Sequence, residues 1–392
     1  MRLVPRTLDL VASPIAEAHA WLAHRSNERE LLDLSQAAPA YPTSPEIIRR
    51  VAEVASDPDG GRYAPPPGLP ALNEAFAAEI SRDYNTTISS QQVLPTGGCN
   101  QAFCVTTSAL TEPGDEVILP LPFYFNHDMW LKLDGVTTRY IDPAPDFTAD
   151  PVAAEAAITE KTRAIVLVTP ANPTGAITPP ETIRRFADIA ERHDLALIVD
   201  ETYRNFRSPA HPPHDLFSRD SWPDHVVSLH SFSKDLAIPG YRMGALVAGE
   251  TFVYEVMKLV DCVQISAPRI GQEAVLAGLL HSTEWRQAQY QRIGGLLDDF
   301  QAMMATEPGG FRLDSAGAFF GWVRHPRPDL SSGEVVKRLV LDHDVLTIPG
   351  TAFTPTDEGY LRFSFANLDP RQLKELGNRL TEFSEKQPGP CQ

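Results

Sequence analysis

Val226-Val227-Ser228-Leu229-His230-Ser231-Phe232-Ser233-Lys234 is the stretch that decides the fold of this chain. Val226 to Leu229 is a brief apolar run, a buried strand by its length and branched side chains. Two hydroxyls and a lysine follow directly on it. Side chains at the C-terminal end of such a strand stand where open α/β sheets bind ligands. Outward from here, Val117-Ile118-Leu119, Ala164 to Thr169, Ala196 to Val199 and Ala245 to Ala248 have the same character, bounded by Pro, Gly or Asp. Helical patterns lie between several of them. Pro180 to His193 opens with proline and Glu181, which suit the free N–H groups and the dipole of a helix start. The alternation predicts an α/β fold of three layers, with a mostly parallel sheet covered on both faces.

The pattern changes after about residue 282. Trp285 to Met304 reads as a long helix, short strands surround Phe319 to Trp322, and Pro370 to Glu385 reads as a final helix. These predict a smaller α+β domain. The expected division is a large domain over 36–284 and a small domain over 285–392 joined by the N-terminal segment 1–35. The prolines at 39, 42 and 45 suit the crossing.

Composition narrows the functional classes. With 392 residues, 43% hydrophobic and 22% charged, the chain has the make-up of a soluble globular protein. A net charge of −17 argues against nucleic-acid binding, which needs a positive surface, but leaves room for a local anion site. Cys99, Cys104, Cys262 and Cys391 form no C-x-x-C pair and have no histidine cluster at zinc spacing, so no metal is expected. They read as reduced, mostly buried thiols. The N-terminus lacks the apolar core of a signal peptide, and no stretch approaches the roughly 20 apolar residues of a membrane span. A cytoplasmic protein without membrane contact is expected.

Lys234 by itself identifies nothing, since most lysines are solvated surface residues. Gly240-Tyr241-Arg242-Met243-Gly244 follows it, and the whole stretch resembles the lysine motif of the class I/II aminotransferases, fold type I of the pyridoxal phosphate (PLP) enzymes. The resemblance implies that Lys234 carries the cofactor as a Schiff base while Ser231 and Arg242 hold its phosphate. Arginine suits that task because its planar fork meets phosphate with two parallel bonds. Further segments match in the family's order. Pro170 to Gly175 resembles the asparagine loop, making Asn172 a donor to the cofactor's phenolic oxygen, although Asn, Pro and Gly also make ordinary turns. Asp200 would pair with the pyridine nitrogen and keep the ring an electron sink; an aspartate there is otherwise a helix cap. Tyr203 would reach the phenolic oxygen beside Asn172.

Thr96 to Asn100 resembles the phosphate cup, with Gly97, Gly98 and Cys99 as backbone donors at a helix N-terminus. Cys99 departs from the small hydroxyl or alanine common there. Tyr124, rather than the adjacent Phe123, is placed as the ring-stacking aromatic. Arg62 to Pro70 resembles a segment that crosses between subunits, so Tyr63 implies a homodimer with shared sites. Tyr360 to Ser364 resembles the motif whose arginine, here Arg362, binds the substrate's α-carboxylate. A guanidinium in an apolar strand is costly unless paired, so Arg362 needs either that carboxylate or an internal Asp or Glu. Phe353 matches a pocket phenylalanine. Ala37, in Gln36-Ala37-Ala38-Pro39, stands where the family commonly has glycine and would reshape the substrate pocket.

The function implied is ping-pong transfer of an amino group from an α-amino acid to a 2-oxo acid, with Lys234 moving the α-proton. A carbon–sulfur β-lyase on the same scaffold and a PLP-binding sensor without turnover are the alternatives. The donor is open. Arg269, in a loop that resembles one the family uses near the partner's active site, could read a distal carboxylate or be a surface arginine, and Tyr41, Phe123, Tyr124 and Phe353 suit aromatic or aliphatic side chains equally.

Overall fold

The computed structural model describes residues 1–11, 13–25, 29–208 and 210–385. Seven strands form the large sheet: Val93–Thr96 (β1), Glu116–Pro120 (β2), Thr137–Ile141 (β3), Thr162–Val168 (β4), Ala196–Asp200 (β5), Val226–Ser231 (β6) and Gly244–Val247 (β7). Their order across the sheet is β1-β7-β6-β5-β4-β2-β3. β7 alone runs antiparallel, between β1 and β6; the other contacts are parallel. The expected mostly parallel sheet is therefore present.

Alternation along each strand splits the core into two layers, because successive side chains point to opposite faces. In β4, Ile165 and Leu167 join the cluster that holds Phe76, Phe186 and Phe232. Ala164 and Val166 join the opposite cluster with Phe103, Leu131 and Val256. The helix Pro180–His193 covers the first face. It has Pro and Glu181 at its start, buries Ile183, Phe186, Ala187, Ile189 and Ala190, and ends at Asp194 in the left-handed region.

A four-stranded antiparallel sheet forms the smaller part, from Arg312–Gly317 (β8), Phe320–Arg324 (β9), Ile348–Pro349 (β10) and Tyr360–Ser364 (β11) in the order β10-β11-β9-β8. Helices Thr283–Met304, Ser332–His343 and Pro370–Glu385 pack on it around Phe300, Phe363, Leu339 and Leu376. The N-terminal segment joins it where Leu32–Asp33 pairs parallel with Val345–Leu346. That crossing ends before Pro45, which opens the helix Pro45–Ser56; its Ile47 belongs to the core of the large sheet. Among the described residues, no helix is long and apolar enough to cross a membrane.

The topology gathers the functional candidates. Thr96, Asp200 and Ser231 end β1, β5 and β6, while Asn172 and Tyr124 stand just past the ends of β4 and β2. All five are at the C-terminal ends of strands that run the same way, where such sheets leave a crevice.

Candidate active site

A cavity of about 330 Å³ lies at these strand ends. Ala37, Cys99, Tyr124, Asn172, Asp200, Tyr203, Ser231, Lys234, Arg242 and Arg362 all line it. Lys234 follows β6 in the short helix Phe232–Asp235, and its Nζ donates to the carbonyl of Ala37. Burial, and then the charges of Arg362 and Arg242, push its ammonium down from 10.5 to about 8. A free amine is therefore accessible near neutral pH.

Asp200 is 3% exposed. Its Oδ2 lies 3.3 Å from His127 Nε2, and its Oδ1 accepts the Thr202 amide at 3.0 Å. Burial acts upward on this carboxyl, but His127 and Thr202 outweigh it and hold the group below the ordinary 3.8. A fixed negative charge results. Phe103 stacks on His127 at 3.9 Å and fixes its plane. Tyr203 is buried, and burial raises its phenol far above 10; burial and Asp200 raise Tyr124 to about 12. Both keep their protons at neutral pH and can donate. Burial likewise keeps Cys99 a thiol.

The phosphate cup has a cradle that a side chain would fill. Gly98 has φ +96°, and a Cβ there would stand 2.5 Å from Arg242 Nη2. Arg242 itself adopts φ +54°, directly after the turn Pro239–Tyr241, and anchors Nη1 on the carbonyl of Pro239 at 2.9 Å. The helix Cys99–Leu110 starts beside them, so its first amides are free of helical partners. Ser231 accepts the Ser233 amide at 3.2 Å and caps the helix that carries Lys234. Neither Gly97 nor Gly98 is among the residues that line the cavity, and the Gly97 N–H is taken by Gln101 Oε1 at 2.6 Å. A depressed lysine, an arginine beside a helix start and an ionised aspartate fit the aldehyde, phosphate and ring nitrogen of PLP.

Arg362 sits in the middle of β11 and is 2% exposed. Its Nη1 donates to Asn172 Oδ1 at 2.9 Å, Nη2 donates to the carbonyl of Ser35, and Nε has no partner. Phe320 and Phe353 lie 5.1 and 5.0 Å from the guanidinium carbon. Burial lowers it only to about 10, so it stays charged at neutral pH. No Asp or Glu pairs with it among the described residues, so the internal ion pair considered from the sequence is not formed.

Phe353, Tyr63 and Arg269 do not line this chain's own cavity. Phe353 is wholly buried against Trp322, Phe125 and Arg362 and supports the arginine from behind. Tyr63 is 74% exposed and lies outside the cavity. Arg269 begins the helix Arg269–His281 with Nη1 on the carbonyl of Asp59 at 3.4 Å, also outside it. The thiols are less buried than expected: Cys99 is buried, Cys104 partly so, and Cys262 exposed on the outer face of its helix. Cys391 lies outside the described residues.

Residues 29–380 match the model of the family described as aminotransferase class I and II. The chain belongs to the class I and II aminotransferases. Among similar proteins, the aromatic aminotransferase ISS1 of Arabidopsis thaliana is 29% identical, covering 97% of this chain and 96% of that protein. An aspartate aminotransferase of Pyrococcus abyssi is 27% identical, covering 90% and 91%. The solved aspartate aminotransferase of Thermus thermophilus with maleate superposes with a TM-score of 0.89 over 98% of this chain and all of that one. At 24% identity that likeness shows the fold. PLP is thus the cofactor and transamination the reaction.

The aminotransferase also contains functional surroundings that sequence reading passed over. His127 has no motif of its own; its signal was its position three residues after Tyr124, on the turn of helix that faces β5. Beneath the site, Glu201 is buried among Tyr84, Ser228 at 2.6 Å and His214 at 3.3 Å. A second network joins Arg286 to Glu79 at 2.7 Å and to Asp235 at 2.8 Å, and Arg204 to Glu79 and Asp83. Asp235 and Arg204 are the neighbours of Lys234 and Tyr203, so buried ion pairs hold both from behind.

Proposed function

We propose that this aminotransferase acts on α-amino acids with Lys234 as the proton-moving amine, Asp200 as the fixed charge beside the pyridine nitrogen, and Arg362 as the carboxylate receptor. The observation that carries the proposal is Arg362, a buried cation that opens onto the cavity of Lys234 without an acidic partner among the described residues. PLP, when bound, supplies the electron sink that makes the substrate's Cα–H bond acidic. Arg242, Ser231 and the amides of Gly98 and Cys99 would hold its phosphate. Gly97, though part of the same loop, adds shape and no free donor. Tyr124, which lines the cavity, would be the aromatic side chain against the ring. Asn172, whose Oδ1 is committed to Arg362, keeps its Nδ2 to donate to the phenolic oxygen with Tyr203.

Arg362 fixes the α-carboxylate and so turns the Cα–H bond toward Lys234. Lys234 Nζ, as a free amine, would accept the Cα proton and later give it up again. Water would release the 2-oxo acid, the amino group staying with the cofactor, and a second 2-oxo acid would enter the same cavity and meet the same residues in reverse order. Ala37 accepts a hydrogen bond from Lys234 through its carbonyl, so it borders both lysine and substrate.

The proposal extends to assembly and place. An exposed Tyr63 suits a homodimer in which it reaches the partner's phosphate, and unpaired thiols suit the cytoplasm. The same reading divides the chain into 36–284 and 285–392 with 1–35, supported by the separate four-stranded sheet and by the pairing of Leu32–Asp33 with Val345–Leu346. Lys234→Ala tests the core of the proposal. It is expected to abolish covalent cofactor attachment and amino transfer from a panel of amino acids to 2-oxoglutarate or pyruvate. Normal transfer by that variant would overturn it.

A further inference from the structure

Resting on the reading of Lys234 as proton-moving amine and Arg362 as carboxylate receptor, we infer that Asp235, Arg286 and Tyr290 are positioning residues. They tie the turn that carries Lys234 to the helix Thr283–Met304, and that helix sets the amine against Arg362. Lys234 sits on the short helix Phe232–Asp235, where the Leu236 amide donates to the carbonyl of Phe232 at 3.2 Å. A single helical turn does not hold itself, because ordering its residues costs more than its few bonds return. Its position therefore comes from outside contacts. Ser231 holds the start of the turn, and Asp235 holds its end. Asp235 is 4% exposed, so its charge requires a partner. Arg286 spreads its fork over two carboxylates. Its Nη2 and Nε reach Asp235 Oδ2 at 2.8 Å and Oδ1 at 3.3 Å. Its Nη1 and Nη2 reach Glu79 Oε2 at 2.7 Å and Oε1 at 2.9 Å. Tyr290, about one turn further along the same helix, donates to Asp235 Oδ1 and accepts from Arg286 Nε at 3.0 Å.

The same helix holds the other partner. Its Ile293, Leu296 and Phe300 share the core of the small sheet with Phe363 and Phe365. Phe300 stacks on Phe365 at 4.8 Å and lies 6.4 Å from the ring of Phe363, the neighbour of Arg362 on β11. Arg286 and Phe300 are about 21 Å apart along the helix axis, at about 1.5 Å per residue. One continuous helix thus carries the turn of Lys234 near one end and the strand of Arg362 further along. All of these contacts are made and buried within one chain. Proton transfer needs such a spacer. Arg362 decides where the Cα–H bond points, while Lys234 meets it on a flexible four-carbon stem. A misplacement of about 1 Å between reacting groups costs up to about a hundredfold in rate.

Asp235→Asn tests the inference. It keeps the shape of the side chain, leaves Arg286 its partner Glu79, and removes the ionic hold on the turn. In the apoprotein, hydrogen–deuterium exchange of a peptide covering 232–238 is expected to quicken about tenfold or more, with β4 unchanged. In the holoenzyme, single-turnover conversion of the cofactor spectrum by the fastest of a panel of α-amino acids should slow about ten- to a hundredfold. The isotope effect of the α-deuterated amino acid should rise with it, because proton removal becomes the slow step. Tyr290→Phe keeps the ion pair and should move both readings the same way by a smaller factor; it decides the matter if Asp235→Asn does not fold. Wild-type exchange in 232–238, or a wild-type isotope effect, in a folded variant would overturn the inference and leave Asp235 and Arg286 a stabilising pair. Conversion of wild type by none of the amino acids would sink the reading of Lys234 and Arg362 instead, while the exchange would still judge whether Asp235 holds the turn.

Discussion

The depressed lysine gives a sharp quantitative test. Lys234 stands at about 8 instead of 10.5 because burial and two neighbouring cations disfavour its charged form. At pH 7 a lysine at 10.5 presents its free amine about once in 3,000 molecules, and one at about 8 about once in 11, a gain of about 300-fold. The free amine is the form that bonds the cofactor aldehyde. The rate of covalent PLP incorporation into apoenzyme, followed by stopped-flow absorbance in phosphate-free buffer, should rise with pH through a midpoint near 8 and then level off. Arg362→Gln removes one of the two cations, so its midpoint should move upward; Arg362→Lys keeps the charge and should stay near wild type. Ionisation of PLP itself is common to all three proteins and cancels in the comparison. The two variants should part from wild type together in substrate affinity, each losing about 2–5 kcal/mol in kcat/KM for the amino acid, because neither reproduces the planar fork. A wild-type midpoint at or above 10, or a downward shift in Arg362→Gln, would refute the electrostatic account of Lys234.

Asp200→Asn keeps the shape of the side chain and removes its charge, and should lower turnover about a hundred- to thousand-fold with the fold intact by circular dichroism. Gly98→Ala places a methyl against Arg242 at a positive φ and should weaken PLP binding about tenfold or more, measured by dialysis against graded cofactor. Arg286→Leu leaves Glu79 and Asp235 buried without their shared cation and should cost about 3–5 kcal/mol in urea unfolding. The pH sign follows from Glu79: burial acts upward on its carboxyl, but Arg286 and Arg204 outweigh it and hold it below 4.5. A depressed folded value means a contribution fully present above 4.5 and lost as pH falls below it, so acid should destabilise wild type more steeply than the variant.

Much of the fold was legible because its signals are local. The runs at 117–119, 164–169, 196–199 and 226–229 became strands β2, β4, β5 and β6, and 180–193 became a helix with the predicted ends. The reversal of β7 was not legible, since an apolar run of four residues carries no direction. The site was legible where a motif sits at a strand end, as at Asp200 and Lys234. It was illegible where the partner is distant in sequence. His127 meets Asp200 only after β2 and β5 have taken their places in the sheet. Arg286 meets Asp235 and Glu79 only after the helix Thr283–Met304 has folded back on the large sheet. Even Gly97, which has the right residue type, loses its free N–H to Gln101, a side chain whose direction no motif specifies.

Arg362 ties these levels together. It stands on the small antiparallel sheet, yet its donors go to Asn172 beyond β4 and to Ser35 in the N-terminal segment. Three separate parts of the chain therefore converge on one buried guanidinium. The convergence satisfies two of its nitrogens and leaves Nε unpaired at full charge. A core arginine kept only for stability would be matched by an acid, as Arg286 and Arg204 are in this same protein. Leaving Arg362 unmatched costs stability in the unliganded protein, and an anionic ligand offsets that cost on entering. On the proposed reading, the α-carboxylate of the substrate is that ligand.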